Sequence, residues 1–294
     1  MAEKCMNADI EKSLKDYINK MPSLPTSVTK VLEICNNMQT SPADLNQVIS
    51  LDPVLVGRVL KLLNSAYYGL RKPITSLTRA IIMLGINTVK NLALSTAIID
   101  NFPSKNSSPC LDMEGFWRHS LCVGVSAKLL ARERGISAKF VEEYFTAGLL
   151  HDIGKIPLCA VLSKEYMHTI GKADQEKKAL FQEEKDELGL DHSAAGTLIS
   201  AAWKLPGAVG DTIEYHHNIE GYSGESADIL YSVAAANRFA SVSGIGFSGD
   251  RCPDPVPSRV WESLNVSKDV FEKLENSVNS EIGKAEIFLK ISHS

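Results

Sequence analysis

Apolar residues recur every three or four positions along most of this chain of 294 residues. The segment that contains Val28, Val31 and Leu32 shows the pattern, which places these side chains on one face of a helix. No segment shows a sustained alternation of apolar and polar residues, which is the pattern of a half-buried strand. The sequence therefore predicts an all-α protein in which helices pack on helices.

Capping residues predict where several helices begin and end. Ser41 precedes a proline, and Asp44 lies in the following turn, so we expect a helix to begin at 42. Gly85 has the position of a C-cap between two apolar helical segments. The predicted helices lie near 26–38, 42–51, 53–64, 74–84, 86–98, 114–134, 137–152, 190–203, 207–218, 226–242 and 267–290.

Proline, glycine and short polar residues mark the breaks between the helical segments. The sequence NFPSKNSSPC has the composition of a linker. The charged sequence KADQEKKALFQEEKDE, within 164–187, is interpreted as the solvated face of a helix and is given no function. The predicted domains are an N-terminal helical subdomain (1–100), a linker (101–112), a helical core (113–245) and a C-terminal helical extension (246–294).

Composition and charge exclude several functional classes. Hydrophobic residues make up 44% of the chain and charged residues 22%, which is the mixture of a folded globular protein. The net charge of -4 gives no overall attraction for nucleic acid or anionic lipid, so neither is an expected partner. A mildly basic run without interleaved aromatic residues is interpreted as a solvated face; it contains Arg58, Lys61, Arg71, Lys72 and Arg79.

The cysteines and the N-terminal segment indicate a cytoplasmic location. The first twenty residues carry charges throughout and lack the apolar core of an export signal, and no apolar stretch is long enough to cross a membrane. The six cysteines form no close pair and are interpreted as reduced, mostly packing side chains; they are Cys5, Cys35, Cys110, Cys122, Cys159 and Cys252.

Five of the seven histidines lie in apolar helical contexts such as GFWRHSLCVG and AGLLHDIGK. A single buried histidine more often donates to a backbone carbonyl than binds a metal, but five such rings together with a carboxylate suit a divalent transition metal. His168, in a charged region, and His293, at the terminus, are not expected to be ligands. The candidate ligands are His119, His151, Asp152, His192, His216 and His217.

His151 and Asp152 are neighbours, and on a regular helix their side chains would diverge by about 100°. Gly154 follows as a stop signal, so the pair is expected in a last turn where both side chains can enter one cavity. A site of this composition could hold two metals about 3.5–4 Å apart and cleave a phosphoester. Asp152 and Lys155 are then the candidate catalytic residues, although Lys155 could equally complement a helix C-terminus.

The order of these residues, with the string HDIGK at 151–155, resembles the HD superfamily of metal-dependent phosphohydrolases and its HD-GYP branch. The N-terminal half is more specific. The sequences MPSLPTSVTKVLEI, ISLDPVLVGRVLKLLNSAYYGL and ITSLTRAIIMLGINTVKNLAL closely resemble the HDOD family, the HD-related output domain of bacterial signalling proteins. The resemblance covers roughly residues 20–240 and implies an N-terminal helical subdomain packed on an HD-like helical bundle.

The resemblance also implies caution about catalysis, because HDOD proteins are viewed as degenerate HD domains. The closing aspartate of HD enzymes corresponds here to Asn237, whose amide can coordinate a metal but supplies no negative charge. The GYP motif is missing, since Ser223 follows Gly221 and Tyr222, and Asn218 stands where HD-GYP enzymes carry glutamate. These departures weaken the expectation of turnover more than that of binding Fe, Mn, Mg or Zn.

Two functions follow from these expectations. The first is a regulatory module that acts through contacts with other signalling proteins and has a degenerate metal site. The alternative is an active metal-dependent phosphohydrolase or cyclic-dinucleotide phosphodiesterase, with a nucleotide or phosphoester ligand. The near-complete ligand set favours the alternative, whereas the N-terminal resemblance, Asn237 and the absent GYP motif favour the module.

Overall fold

The fold is all-α, as the periodicity predicts. The computed structural model describes residues 2–292 apart from 36, 38 and 103–109, and within that part no residue lies in a strand. Side chains are described from residue 9 to 291, with the same gaps. The first half of the chain contains α1 (Ala2–Lys20), α2 (Thr26–Cys35), α3 (Pro42–Ile49), α4 (Pro53–Leu63), α5 (Leu77–Leu84) and α6 (Ile86–Asn101).

Local hydrogen bonds explain the boundaries of these helices. Ser41 and Asp44 form a capping box at the start of α3, as the sequence predicts. Helix α5 begins at 77 rather than 74 because Asn64 holds the preceding extended backbone: its side chain bonds both the N–H and the C=O of Ile74, each at 2.7 Å. The side chain of Ser76 then caps α5.

The second half contains more helices than the periodicity predicts. The expected helix at 137–152 begins at 141 and ends at 150, the charged stretch forms two helices, and the expected helix at 267–290 breaks at 286. The helices are α7 (Met113–Glu133), α8 (Val141–Leu150), α9 (Lys155–Val161), α10 (Ser163–Glu176), α11 (Leu180–Leu188), α12 (His192–Trp203), α13 (Gly207–Tyr215), α14 (Ala227–Ser243), α15 (Ser258–Leu264), α16 (Val270–Ala285) and α17 (Ile287–Ser292), with a 3-10 turn at Ile219–Gly221.

Helices α7 and α8 pack closely at two glycines. A Cβ on Gly148 would lie 2.8 Å from the Cα of Gly124, so a side chain at either position would separate the helices. This close approach brings the rings of His119 and His151 together, with centroids 5.7 Å apart. Helices α14 and α16 cover α7, and α6 packs on α8.

The two ends of the chain pack across the predicted domain boundary. Helix α1 contacts α9 and α12, in the predicted core, whereas α17 returns to α4 and α6. The domain boundaries stay a prediction, and residues 103–109 of the predicted linker lie outside the described residues.

A buried ion pair joins the N-terminal helices to α7 and α8. Lys128 and Glu142 are each 3% exposed, and the Lys128 Nζ lies 2.5 Å from Glu142 Oε1. The ammonium also donates to the Tyr67 hydroxyl at 3.0 Å. Tyr67 packs in turn against Phe145 and Phe288, so one ion pair is enclosed by aromatic rings from α8 and α17.

The expectation that all the cysteines are reduced is wrong for one pair. Cys110 and Cys159 form a disulfide across 49 residues, with their Cα atoms 5.7 Å apart. Sequence spacing could not reveal this pair, because α7 and α8 lie between the two cysteines. Cys35, Cys122 and Cys252 are free thiols, as predicted, and the Cys5 side chain lies outside the described residues.

In the described part of the chain, no single helix has the length and apolar composition needed to cross a membrane. The α5 and α6 pair passes that test only when taken together, and it is bent by 118° at Gly85.

Candidate metal centre

Five histidines and one aspartate meet at the centre of the second half. They come from four places in the chain: α7, the turn after α8, the start of α12 and the end of α13. Two groups of ligand atoms each fit within 4.8 Å, and Asp152 belongs to both. The first group is Asp152, His192, His216 and His217, and the second is His119, His151 and Asp152.

A close contact at a glycine and a helix cap help to place these residues. The turn that carries Asp152 passes so close to the start of α12 that a Cβ on Gly154 would collide with the carbonyl oxygen of His192. The N-cap of α12 is Asp191, whose side chain accepts from the backbone N–H of Ala194 at 2.9 Å. The first residue of α12 is therefore held against the turn.

The first group surrounds Oδ1 of Asp152 with imidazole nitrogens. Nε2 of His192 lies 3.2 Å and Nε2 of His216 lies 3.5 Å from this oxygen. The Nε2 atoms of His192 and His217 are 3.1 Å apart, and those of His192 and His216 are 3.3 Å apart. Three ring nitrogens and one carboxylate oxygen thus converge on one point, a donor set suited to a divalent transition metal.

Hydrogen bonds on the far side of three of the rings set their orientation. His192 donates from Nδ1 to Glu184 at 2.6 Å, and His216 donates from Nδ1 to the carbonyl of Thr212 at 3.0 Å. His151 likewise donates from Nδ1 to the carbonyl of Gly148 at 2.7 Å. Each bond places a proton on Nδ1 and turns Nε2 inward, which is the arrangement that metal-binding histidines require.

The second group differs because a cation is already present. Nζ of Lys155 lies 2.6 Å from Oδ2 of Asp152, whereas the nearest nitrogens of His151 and His119 are 3.4 and 3.9 Å from that oxygen. His119 donates from Nε2 to the amide oxygen of Asn237 at 3.0 Å. An ammonium and an amide thus occupy the contacts on this side.

Two buried atoms of the centre lack a hydrogen-bond partner, and one of them supports metal binding in the first group. Nε2 of His151 and Oδ1 of Asp152 make no hydrogen bond, although both residues are 0% exposed. A buried polar atom without a partner costs free energy, and a bound cation would remove that cost for Oδ1. The residues of the first group therefore fit a divalent metal, while its identity among Fe, Mn, Mg and Zn is not set by these contacts.

Burial and local charge shift the pKa values of the ring nitrogens in opposite directions. Burial lowers the pKa of His119 to about 4, and it lowers the pKa values of His151 and His217 well below the usual range. Burial also lowers the pKa of His192, but the Glu184 and Asp152 carboxylates together raise it by more, to about 9. Burial raises the pKa of Asp152, yet Lys155 and the surrounding histidines together lower it by more, so this carboxyl is ionised.

Glu184 is a site residue that the sequence analysis missed. The charged stretch was interpreted as a solvated face without function, but Glu184 is 0% exposed and accepts from both the ring and the backbone N–H of His192. Its other oxygen accepts from Tyr166 at 2.7 Å. The available signal was spacing, because Leu180, Glu184 and Leu188 share one helix face, whose apolar members predict burial.

Residues 246–257, which we call the covering segment, lie across the centre. Gly246, with φ of 72°, packs so closely on α7 that a Cβ would collide with the backbone nitrogen of His119. The next residue, Phe247, donates from its backbone to Gly115 at 2.9 Å. Ser248, 2% exposed, accepts from Nζ of Lys155 at 3.2 Å. A phosphate oxygen would have to displace Ser248 to reach this ammonium.

A pocket of about 260 Å³ opens beside the first group. Its walls include the rings of His216, His217 and Phe181, together with Asn237. Phe181 stacks on His217 with ring centroids 4.3 Å apart. The far wall is the proline-rich part of the covering segment, fixed by Arg238, which donates to the carbonyl of Asp254 at 3.0 Å.

The remaining candidates lie outside the centre or at its edge. Asn218 lines the pocket, whereas Tyr222 donates to Asp211 at 2.7 Å and faces away from the ligand groups. His168 is exposed, and His293 lies outside the described residues. In the basic run, Arg58 forms an ion pair with Asp100, and the interpretation of the run as a solvated face stays a prediction.

The sequence model of the HDOD domain matches residues 21–219. That range is well over half of the chain, and the fold and the residues of the centre agree with it. The protein belongs to the HDOD family.

Individual relatives agree with this assignment. An uncharacterised protein of Treponema pallidum is 27% identical over 229 residues, which are 76% of this chain and 43% of that relative. The chain therefore spans less than half of the length of the curated relative that it matches. An HDOD domain protein of unknown function from Geobacter sulfurreducens has a similar structure, with a TM-score of 0.76, 26% identity and coverage of 94% and 97% of the two chains.

More distant structures share the fold. A Shewanella amazonensis protein whose name proposes a phosphohydrolase gives a TM-score of 0.67 at 23% identity, over 94% of this chain and 98% of that one. A Marinobacter aquaeolei protein whose name proposes a role in signal transduction gives 0.72 at 18% identity, over 98% and 66%. At these identities the likeness extends to the helical architecture alone.

Proposed function

We propose that this chain is a bacterial regulatory HDOD module that acts through contacts with other signalling proteins. Its HD-like centre holds one divalent metal between Asp152, His192, His216 and His217. The metal stabilises the folded module, and turnover of a substrate is not its role.

The observation that carries this proposal is the position of Lys155. Its ammonium lies 2.6 Å from the Asp152 oxygen that faces His119 and His151, where a second metal would need the same oxygen. A second cation beside that ammonium would be strongly repelled at so short a distance in a buried site. Lys155 thus supplies the positive charge on this side, and Asn237 supplies no charge to offset another metal.

The other residues of the chain have defined tasks in this proposal. Glu184 orients His192 and keeps its ring basic, while the carbonyl of Thr212 orients His216. Ser248 and the covering segment keep water and phosphate from Lys155. When bound, a divalent metal would neutralise the Asp152 carboxylate and hold three parts of the chain together: the turn after α8, the start of α12 and the end of α13.

Elemental analysis of protein purified without chelator tests the stoichiometry. We expect about one divalent metal per chain, and Asp152→Asn and His192→Ala should remove it and lower the melting temperature. His168→Ala is the matched control, because His168 is exposed and lies outside both ligand groups. Two metals in the unaltered protein would contradict the role given to Lys155.

A second test removes the ammonium that is proposed to exclude a second metal. Lys155→Met removes the ammonium while keeping a side chain of similar length, so we expect a second metal to bind beside His119 and His151. Metal titration of this variant followed by calorimetry should show two binding steps where the unaltered protein shows one. A single step in both proteins would mean that Lys155 does not replace a cation.

A second candidate function is phosphoester hydrolysis, and the pocket of about 260 Å³ beside His216, His217 and Asn237 favours it. A small phosphoester could reach the first group through this pocket without moving Ser248. Assays with Mn²⁺ or Fe²⁺ on aryl phosphoesters and cyclic dinucleotides decide between the two functions. Turnover that disappears in His151→Ala would show that the protein is an enzyme and not only a regulatory module. A gain of hydrolysis in Asn237→Asp would show that a negative charge at this position is what the site lacks.

A further inference from the structure

A groove of about 750 Å³ lies between the corner of α5 and α6 and the loop that joins α7 to α8. None of its lining residues belongs to the metal centre. The bend of 118° at Gly85 forms one wall, and residues 137–141 form the other.

One wall exposes large apolar side chains. Ile82 is 68% exposed and Met83 is 55% exposed, and both line the groove together with Leu84 and Ile86. Neighbouring exposed apolar residues on a helix end are unusual when nothing covers them, and they mark contact sites more often than solvated surface. Met83 is also an adaptable contact, because its unbranched side chain can follow the shape of a partner.

The charged residues of the groove are unequally distributed. Arg132 and Lys139 line it, both are exposed, and in the described part of the chain neither has a carboxylate within 4.0 Å. Glu142 lies at the floor, but it is buried and already paired with Lys128. The groove is therefore apolar with a cationic rim, in a chain whose net charge is -4.

We propose that this groove binds one amphipathic helix of a partner protein, with aliphatic side chains on one face and acidic residues beside them. The space between the α5–α6 corner and the loop that joins α7 to α8 suits a helix laid into a groove, anchored by residues three and four positions apart. The acidic residues would pair with Arg132 and Lys139, which sets the orientation and the choice of partner. This inference rests on the proposed function and names the class of partner.

Defined peptides of about 16 residues, or four to five helical turns, test the groove. One carries aliphatic anchors with glutamate beside them, the second carries the same anchors with lysine, and the third keeps glutamate but replaces the anchors by serine. Fluorescence anisotropy with the full chain should show binding of the first peptide, at least about tenfold weaker binding of the second, and none of the third. Equal binding of the first two peptides would overturn the charge argument.

Variants locate the site. Met83→Asp should weaken binding of the first peptide at least about tenfold, because it places a charge among the anchors. Met167→Asp is the matched control, since Met167 is 56% exposed on α10, outside the groove. The double variant Arg132→Glu with Lys139→Glu should reverse the preference between the first two peptides. Equal effects of the two methionine variants would overturn the inference.

Hydrogen exchange separates this inference from the proposed function. Protection by the first peptide should be confined to residues 81–86 and 137–142. Protection at another surface would contradict the groove as the binding site but would agree with a protein-binding module. Absence of binding by every peptide would also contradict the groove as the binding site. A dimer seen by light scattering and lost in Met83→Asp would make a second copy of the chain the occupant, which also contradicts the inference.

Discussion

The metal centre and the Lys128 cluster are both buried and charged, but they balance their charges differently. In the Lys128 cluster one ammonium faces one carboxylate, Glu142, and also donates to a tyrosine hydroxyl. In the centre five imidazoles surround the single carboxylate of Asp152, and Oδ1 of that carboxylate makes no hydrogen bond. The first cluster has one cation of the chain for its one carboxylate, whereas the second brings several ring nitrogens to one carboxylate oxygen, a donor set that a divalent cation could bind.

The difference shows what each cluster can do. A paired buried ion holds helices in register and loses much when one partner is removed. A group of inward-facing ring nitrogens stabilises the folded state only when a cation binds to it. Its contribution therefore depends on the metal concentration in solution. The largest effects should therefore come from breaking the complete pair, and smaller ones from tuning the centre.

The largest effect is expected from Glu142→Gln. Removing the carboxylate charge leaves Lys128 buried without a counterion, and the free energy of unfolding should fall by about 3–5 kcal/mol. Urea unfolding measures the change, and chelator should not alter it. Glu143→Gln is the control, since Glu143 pairs with the largely buried Lys90 but is itself 24% exposed, and it should cost about 1 kcal/mol or less. Equal losses in both variants would contradict the comparison.

The second-largest expected effect is a fall in the free energy of unfolding of the metal-free protein at acid pH. Because burial lowers the pKa of His119 to about 4, the unfolded chain binds a proton below pH 6.5 that the folded chain does not. The stability from this residue, about 3 kcal/mol, is present above pH 6.5 and lost as the pH falls to about 4. His151 and His217 act in the same direction.

His192 acts in the opposite direction. Its pKa is raised to about 9, so the stability that it contributes is complete below pH 6.5 and lost as the pH rises through 9. Chelator-treated protein should thus be most stable near neutral pH, as urea midpoints between pH 4.5 and 9.5 would show. His119→Gln should flatten the acid side and His168→Gln should not; an unchanged slope in His119→Gln would exclude this explanation.

The smallest effect concerns the carboxylate behind the metal ligands. Glu184→Gln should weaken metal affinity about 10- to 100-fold, because His192 loses the charge that makes its ring basic. Competition with a chromophoric chelator measures the affinity. Glu183→Gln is a close control, since Glu183 is also 0% exposed but pairs with Lys172 and Lys178. If both variants bind metal equally, Glu184 does not act through His192.

Much of the helical architecture could be predicted from local signals. The capping box at Ser41 and Asp44 forms as expected, because a cap depends only on residues within one turn. The convergence of the histidines was predicted from their order and from the HDIGK string, and the structure brings all of them together with Asp152. Whether these residues bind metal stays a prediction.

Contacts between residues that lie far apart in the chain were not predicted, because no local sequence pattern identifies them. Glu184 lies in a charged stretch, and its burial depends on α12 packing beside it. Ser248 precedes Gly249 in a loop, where serine is common, and only the folded chain brings it to Lys155. The disulfide between Cys110 and Cys159 depends on how α9 packs, which spacing along the chain does not reveal.

The covering segment lies outside the part of the chain by which the family is defined. The HDOD match ends at residue 219, while Gly246 and Ser248 lie beyond it. Two proteins with the same HDIGK string could therefore differ in whether the lysine of that string is exposed to solvent. The difference would depend on residues that follow the matched region. The sequence after the matched region is therefore needed to tell family members with an exposed lysine from those in which it is covered.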